Sequence, residues 1–176
     1  MEKTLYIFGC SGIGKSICDS LCRGAHIYDE IMFVDVAHER FKGVFYGYKV
    51  LSIDDFEEIR TEGAHAIFAF FKPSNIFDRN ILIDDVLSKK QLQLISIIDP
   101  SAVISDSARV GVGTYVAPNV LIDSDVRIGE NCIILFNSVI SREVEIASNC
   151  FISAGCVLKG SVSIKKSSFI SANVSV

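Results

Sequence analysis

Two adjacent opposite charges, Arg142 and Glu143, stand in the stretch "NSVISREVEIAS", inside a long run of six-residue repeats. One reading is an external ion pair on a solvated face. The other makes Glu143 a general base for an amine nucleophile beside an acyl donor, because a carboxylate in reach of an amine accepts the proton released on attack. A second place with chemical potential is "FGCSGIGKS". Gly9, Gly12 and Gly14 would let the backbone approach a phosphate or sugar, the start of a helix there favours an anion, and Lys15 adds a charge. The competing reading is a turn that the fold alone requires. Asp35 closes "FVDV", the place where doubly wound folds commonly hold a ribose or base; a solvated loop carboxylate is the alternative.

The other reactive side chains carry less. His26, His38 and His65 are the only histidines and all precede the repeats. His65 reads as a strand-entry residue, and the other two read as solvated loop residues. Of six cysteines, Cys10, Cys18 and Cys22 form no C-x-x-C pair and have no neighbouring histidine, so no metal site is expected. Cys132, Cys150 and Cys156 share one phase of the repeat and read as small interior residues.

The elements that position these groups fall into two grammars. Up to about Pro100 (residues 1–100), β-rich runs alternate with helical ones. "TLYIFGC", "EIMFVDV", "AHAIFAFF" and "LISII" read as buried strands. "GKSICDSLCRG", "SIDDFEEIRTEG" (Ser52 as N-cap, Gly63 as stop) and "NIFDRNILIDDVLSKKQ" read as helices. That alternation implies a small Rossmann-like α/β domain with a parallel sheet. Its sheet is too short for a two-lobed dinucleotide fold, so a nucleotide-type ligand is favoured.

Residues 101–176 obey a period of six. Stepping from Ile104 to Val176, thirteen consecutive positions are Ile, Val or Leu, and four residues after each of the first twelve comes a small or β-branched residue. Such hexads build an all-β parallel β-helix of triangular section, three hexads to a coil, with residues eighteen apart stacked. The sequence ends on a repeat position without a polar cap, so either a neighbouring subunit covers that end or the chain is shorter than its relatives.

Composition narrows the class. At 49% hydrophobic residues the chain is not disordered, and a net charge of −4 with no basic cluster gives no reason to expect nucleic acid. No apolar run is long enough for a bilayer and the N-terminus lacks a secretion signal, so no membrane association and a cytoplasmic location are expected.

Taken in order, "IFGCSGIGKS", "FVDV", "IDPSAVISDSARVGVGTYVAPNVLI" and "VRIGENCII" resemble the bacterial sugar O-/N-acetyltransferases of the sialic acid O-acetyltransferase and UDP-bacillosamine N-acetyltransferase type, over essentially the whole chain. The resemblance implies a left-handed β-helix that assembles as a homotrimer. It also implies transfer of an acetyl group from acetyl-CoA to a nucleotide-linked amino sugar or to sialic acid, in surface glycan biosynthesis. It places the sugar-nucleotide loop on Ser11, Gly12 and Ile13, the acidic nucleotide contact on Asp35, and a donor-site glycine on Gly160. The departures are specific. Arg142 stands where the family has its basic histidine and Glu143 where it has the partner, which leaves Glu143 as the only nearby candidate base. Phe151 replaces a second histidine, Phe71 a glycine, and Ile13 a frequent histidine. Arginine stays protonated at any physiological pH and cannot serve as a base. The alternative is therefore a catalytically degenerate, trimeric nucleotide-sugar-binding or scaffold protein.

Overall fold

The computed structural model describes residues 3–59, 62–71, 76–89 and 91–176. They divide into two compact units, Met1–Asp19 with Ala25–Ile95, and Ser20–Gly24 with Ser96–Val176.

The first unit runs β1 (Thr4–Phe8), α1 (Gly12–Arg23, whose residues from Ser20 on are assigned to the second unit), β2 (Glu30–Val34), a 3-10 turn (His38–Phe41), β3 (Val44–Phe45), β4 (Tyr48–Leu51), α2 (Ile53–Glu58), β5 (His65–Phe68), α3 (Ile76–Lys89) and β6 (Gln93–Leu94). The sheet order is β3-β4-β2-β1-β5-β6, parallel except for the β3–β4 hairpin. Strand alternation sorts the side chains, so that Tyr6, Phe8, Met32, Val34 and Phe68 form one core with Phe56 of α2 and Ile83 and Val86 of α3. The hairpin is absent from the sequence reading, although Tyr46 and Gly47, both at positive φ (53° and 83°), make the two-residue turn that "VFYGYKVL" encodes.

Ser52 caps α2 as expected, in a capping box with Asp55. The helix stops at Glu58, before Gly63, because Ile59 is already extended; residues 60 and 61 lie outside the described residues. The helix expected over 75–91 is found as Ile76–Lys89, with residues 75 and 90 likewise outside. No helix among the described residues is long and apolar enough to cross a membrane.

In the second unit three parallel sheets stack as the faces of a solenoid. One holds β7 (Ile97–Ile98), β10 (Tyr115–Val116), β13 (Ile133–Ile134), β16 (Phe151–Ile152) and β19 (Phe169–Ile170). The second holds β8 (Val103–Ile104), β11 (Leu121–Ile122), β14 (Val139–Ile140) and β17 (Val157–Leu158), and the third β9 (Arg109–Val110), β12 (Arg127–Ile128), β15 (Glu145–Ile146) and β18 (Ser163–Ile164). Each strand pairs in parallel with the one eighteen residues on, as in Ile104↔Ile122↔Ile140↔Leu158. Together with the hexad pattern this fits the expected left-handed β-helix. Ile134, Ile140, Ile152 and Leu158 have no exposed surface, and each such side chain contributes about 1.5–3 kcal/mol by leaving water. The small phase is buried too. Cys132, Cys150 and Cys156 are free thiols that donate to the carbonyls of Ala147, Lys165 and Ser171.

"LISII" is not one strand. β6 pairs with β5 in the first unit, whereas β7 pairs with β10 in the solenoid. Ile98 lies one hexad before Ile104, so the repeat begins a step earlier than the sequence reading placed it.

The corners obey one backbone rule. The third residue after each aliphatic rung, from position 113 to 173, is left-handed: glycine at 113 and 155, and elsewhere Asn119, Asp125, Asn131, Asn137, Glu143, Asn149, Ser161, Ser167 and Asn173, all at φ between 54° and 64°. Glycine, Asn and Asp tolerate this region; Glu143 is the one long, unspecialised side chain among them.

Candidate functional site

In the first unit the β1–α1 turn is built around Ser11. Its hydroxyl accepts the Gly14 N–H (3.2 Å), which caps α1, and donates to the Ala69 carbonyl (2.5 Å) beyond β5. Asp35 receives the Cys10 N–H (2.6 Å) on one carboxylate oxygen and the Ala37 N–H (2.8 Å) on the other, so it ties the end of β2 to the glycine turn. Burial first, and then the Asp35 charge and hydrogen bond, push the Cys10 thiol up to about 12, which makes it a poor nucleophile.

The three glycines separate by cause. Gly9 has φ +108° and its open side faces Phe70 at 3.0 Å; Gly14 lies against Phe33, where a Cβ would stand 2.7 Å from the ring. Both are demanded by the fold. Gly12, at the start of α1, faces nothing within 4 Å, so its missing side chain leaves room for a ligand and serves no packing need. Lys15 points elsewhere, its ammonium 5.2 Å from the Phe45 ring centre and 5.5 Å from that of Tyr46.

A cavity of about 380 Å³ opens beside this turn, lined by Phe8, Gly9, Val34, Asp35, Val36, Ala37, Arg40, Ile53, Phe70, Arg79 and Leu82. Of the residues chosen from sequence, Gly9 and Asp35 line it; Ser11, Gly12 and Ile13 do not. Arg40 and Arg79 were not foreseen. Arg79 is 2% exposed, donates to the carbonyls of Phe70 (2.9 Å) and Phe68 (3.5 Å), and lies 5.9 Å from the Phe70 ring centre. A signal existed: Arg79, Ile83 and Val86 share one helical face, and an arginine on a core-facing stripe is conspicuous.

In the second unit eighteen-residue stacking assembles another constellation. Glu143 lies one coil from Ser161, whose hydroxyl donates to Glu143 Oε2 (2.8 Å). Arg142 lies one coil from Gly160, where a Cβ would sit 3.6 Å from the Arg142 Cγ and 3.4 Å from its carbonyl oxygen. The structure therefore brings Glu143 and Gly160, chosen from different hexads, to one corner. It does not form the Arg142–Glu143 ion pair considered from sequence: no such bridge exists among the described residues, and the carboxylate turns to Ser161 instead. Phe151, 7% exposed, stacks on Phe169 with ring centres 5.5 Å apart.

Fold and corner geometry together define a hexapeptide-repeat solenoid joined in one chain to a small α/β unit. Residues 125–160 match the family of bacterial transferase hexapeptide (six repeats) proteins. Among solved structures, the chain is similar to the acetyltransferase domain of PglB from Neisseria gonorrhoeae in complex with acetyl coenzyme A, at 21% identity and TM-score 0.86, covering 99% of this chain and 82% of that one. It is also similar to a mutant of GDP-perosamine N-acetyltransferase from Caulobacter crescentus in complex with CoA and GDP-perosamine, at 24% identity and TM-score 0.78, covering 94% and 76%. A third likeness is WeeI from Acinetobacter baumannii, at 16% identity and TM-score 0.69, covering 99% and 94%. No curated protein sequence gives a significant match. The resemblance drawn from the sequence thus stands at the level of fold: the solved structures that the chain is like include sugar acetyltransferases.

Proposed function

We propose that the protein is an acetyl-CoA-dependent acetyltransferase acting on a nucleotide-linked amino sugar, its first unit a Rossmann-like nucleotide-sugar module and its second the transferase β-helix. The observation that carries this reading is the likeness of 99% of the chain to an acetyltransferase domain named as binding acetyl coenzyme A. Glu143 is the base. The acceptor amine attacks the thioester carbonyl, the amine proton passes to the Glu143 carboxylate, and the C–S bond breaks to release CoA thiolate. The nucleotide lies against the Ser11–Ile13 turn and Asp35, and Gly160 leaves the backbone open for the acetyl donor.

A homotrimer belongs to this reading. Val103, Leu121 and Val157, in register on one solenoid face, are 63%, 42% and 38% exposed. An apolar ladder left in water supports burial against another copy. A cytoplasmic location goes with the substrates, since both acetyl-CoA and nucleotide sugars are soluble metabolites.

A second reading, a catalytically degenerate nucleotide-sugar-binding trimer, is favoured by Arg142, which stands at the position of the resembled family's base and cannot accept a proton. Calorimetric titration of the folded protein with acetyl-CoA separates the two. Saturable binding supports the transferase; a flat titration alongside saturable binding of a nucleotide sugar supports the second reading.

A further inference from the structure

We propose that Ser161 is the positioning residue for Glu143: its hydroxyl fixes one carboxylate oxygen so that the other is presented to the acceptor amine. The inference rests on the role given to Glu143 above.

Three observations lead to it. Ser161 and Glu143 are eighteen residues apart and occupy equivalent corners of successive coils, so the solenoid itself sets their spacing. The Ser161 hydroxyl donates to Oε2 at 2.8 Å, while Oε1 takes no hydrogen bond among the described residues. Glu143 also holds a left-handed φ of 60° at a corner where every other residue from 113 to 173 is Asn, Asp, Ser or Gly. A long side chain held at a backbone position that disfavours it, and anchored through one oxygen, is the arrangement expected of a working carboxylate. A free glutamate at an exposed corner samples many rotamers, and holding one of them raises the fraction of encounters in which the acceptor proton finds its base.

The test uses Ser161→Gly, which removes the hydroxyl but suits the left-handed corner, and Ser161→Asn, which also suits it and returns an N–H donor. Both are made in the full chain and assayed with acetyl-CoA and whichever of a panel of UDP-, GDP- and CMP-linked amino sugars the wild type turns over fastest. In Ser161→Gly, kcat is expected to fall about three- to ten-fold with KM for acetyl-CoA changed less than about two-fold, and Ser161→Asn is expected to recover most of the loss. NMR relaxation of the Glu143 side-chain methylenes gives a readout independent of turnover, and their order should drop in Ser161→Gly and return in Ser161→Asn. Unchanged kcat in Ser161→Gly while Glu143→Gln is inactive overturns the inference alone. Unchanged kcat in Glu143→Gln overturns the base assignment, and the inference with it. Should wild type show no turnover with any acceptor of the panel, the transferase reading fails, and the methylene order still decides whether Ser161 positions Glu143.

Discussion

Replacing Glu143 by Asn should stabilise the protein while removing its activity. The left-handed conformation at φ 60° costs a residue such as glutamate about 1–2 kcal/mol, and Asn, the commonest occupant of the equivalent corners, relieves part of that cost. Relief of about 1 kcal/mol is set against loss of the exposed hydrogen bond from Ser161, worth about 0.5 kcal/mol. The net gain is then about 0.5 kcal/mol, or roughly 1–2 °C in Tm for a chain of this size. Asn137, one hexad earlier and also exposed, supplies the control: Asn137→Glu imposes the same backbone penalty without a function and should lose about 1 kcal/mol. Urea denaturation of the three proteins, read beside acetyl transfer, checks the pair of effects. Glu143→Asn that is less stable than wild type by 1 kcal/mol or more would refute the strain argument. A stabilised variant with full turnover would refute the claim that the strain is kept for catalysis.

Other expectations follow from neighbouring parts of the structure. Asp99, with no exposed surface, accepts two hydrogen bonds from Arg23 (2.6 and 3.0 Å) and two from Ser101 (2.6 and 2.9 Å) within the second unit. Burial works to raise its pKa, but the bonds from Ser101, Ser20 and Arg23 outweigh it and hold the carboxyl far below the usual range. Because the folded pKa is depressed, its stabilisation is complete above about pH 5 and is lost progressively as the pH falls toward the folded value. Asp99→Asn should therefore cost about 2–4 kcal/mol in urea melts at pH 7, with the gap narrowing below pH 3. Cys10 should react with iodoacetamide far more slowly than the exposed Cys22 at pH 8, and Asp35→Asn should narrow that difference, as peptide mapping would reveal. Gly12→Ala should leave the melting curve nearly unchanged yet weaken nucleotide-sugar binding in calorimetry, whereas Gly14→Ala should destabilise by about 1–3 kcal/mol through collision with Phe33.

The solenoid was open to reading because its physics is periodic. A bulky residue every sixth position and a small one four later admit few other structures, and the register of Ile104, Ile122, Ile140 and Leu158 follows directly. The start of the repeat was misplaced because Ile98 is embedded in "LISII", which a local reading takes as one strand; its partner in phase, Ala102, was visible in the junction. The Ser161–Glu143 contact was also within reach, since eighteen-residue stacking pairs them by arithmetic. What arithmetic does not give is which way the carboxylate turns, and local sequence spacing suggested Arg142 instead. The cavity was hardest to foresee. It takes its walls from the ends of β1 and β2, from α2 and α3, and from Arg40 and Phe70, segments joined only by tertiary packing. Asp35 could be placed there from its position at a strand end, but its use of both oxygens on the Cys10 and Ala37 amides depends on the turn that β1 makes beside it.

The central claim is that this chain moves an acetyl group from acetyl-CoA to an amine on a nucleotide-linked sugar. The direct measurement is incubation of the purified, folded protein with acetyl-CoA and a panel of UDP-, GDP- and CMP-linked amino sugars, following released CoA thiol and the mass of each acceptor. Catalytic release of thiol matched one-for-one by acetylated acceptor, and abolished in Glu143→Gln, is the result expected. Thiol release no faster than the uncatalysed background with every acceptor, from protein that binds nucleotide sugar, would contradict it.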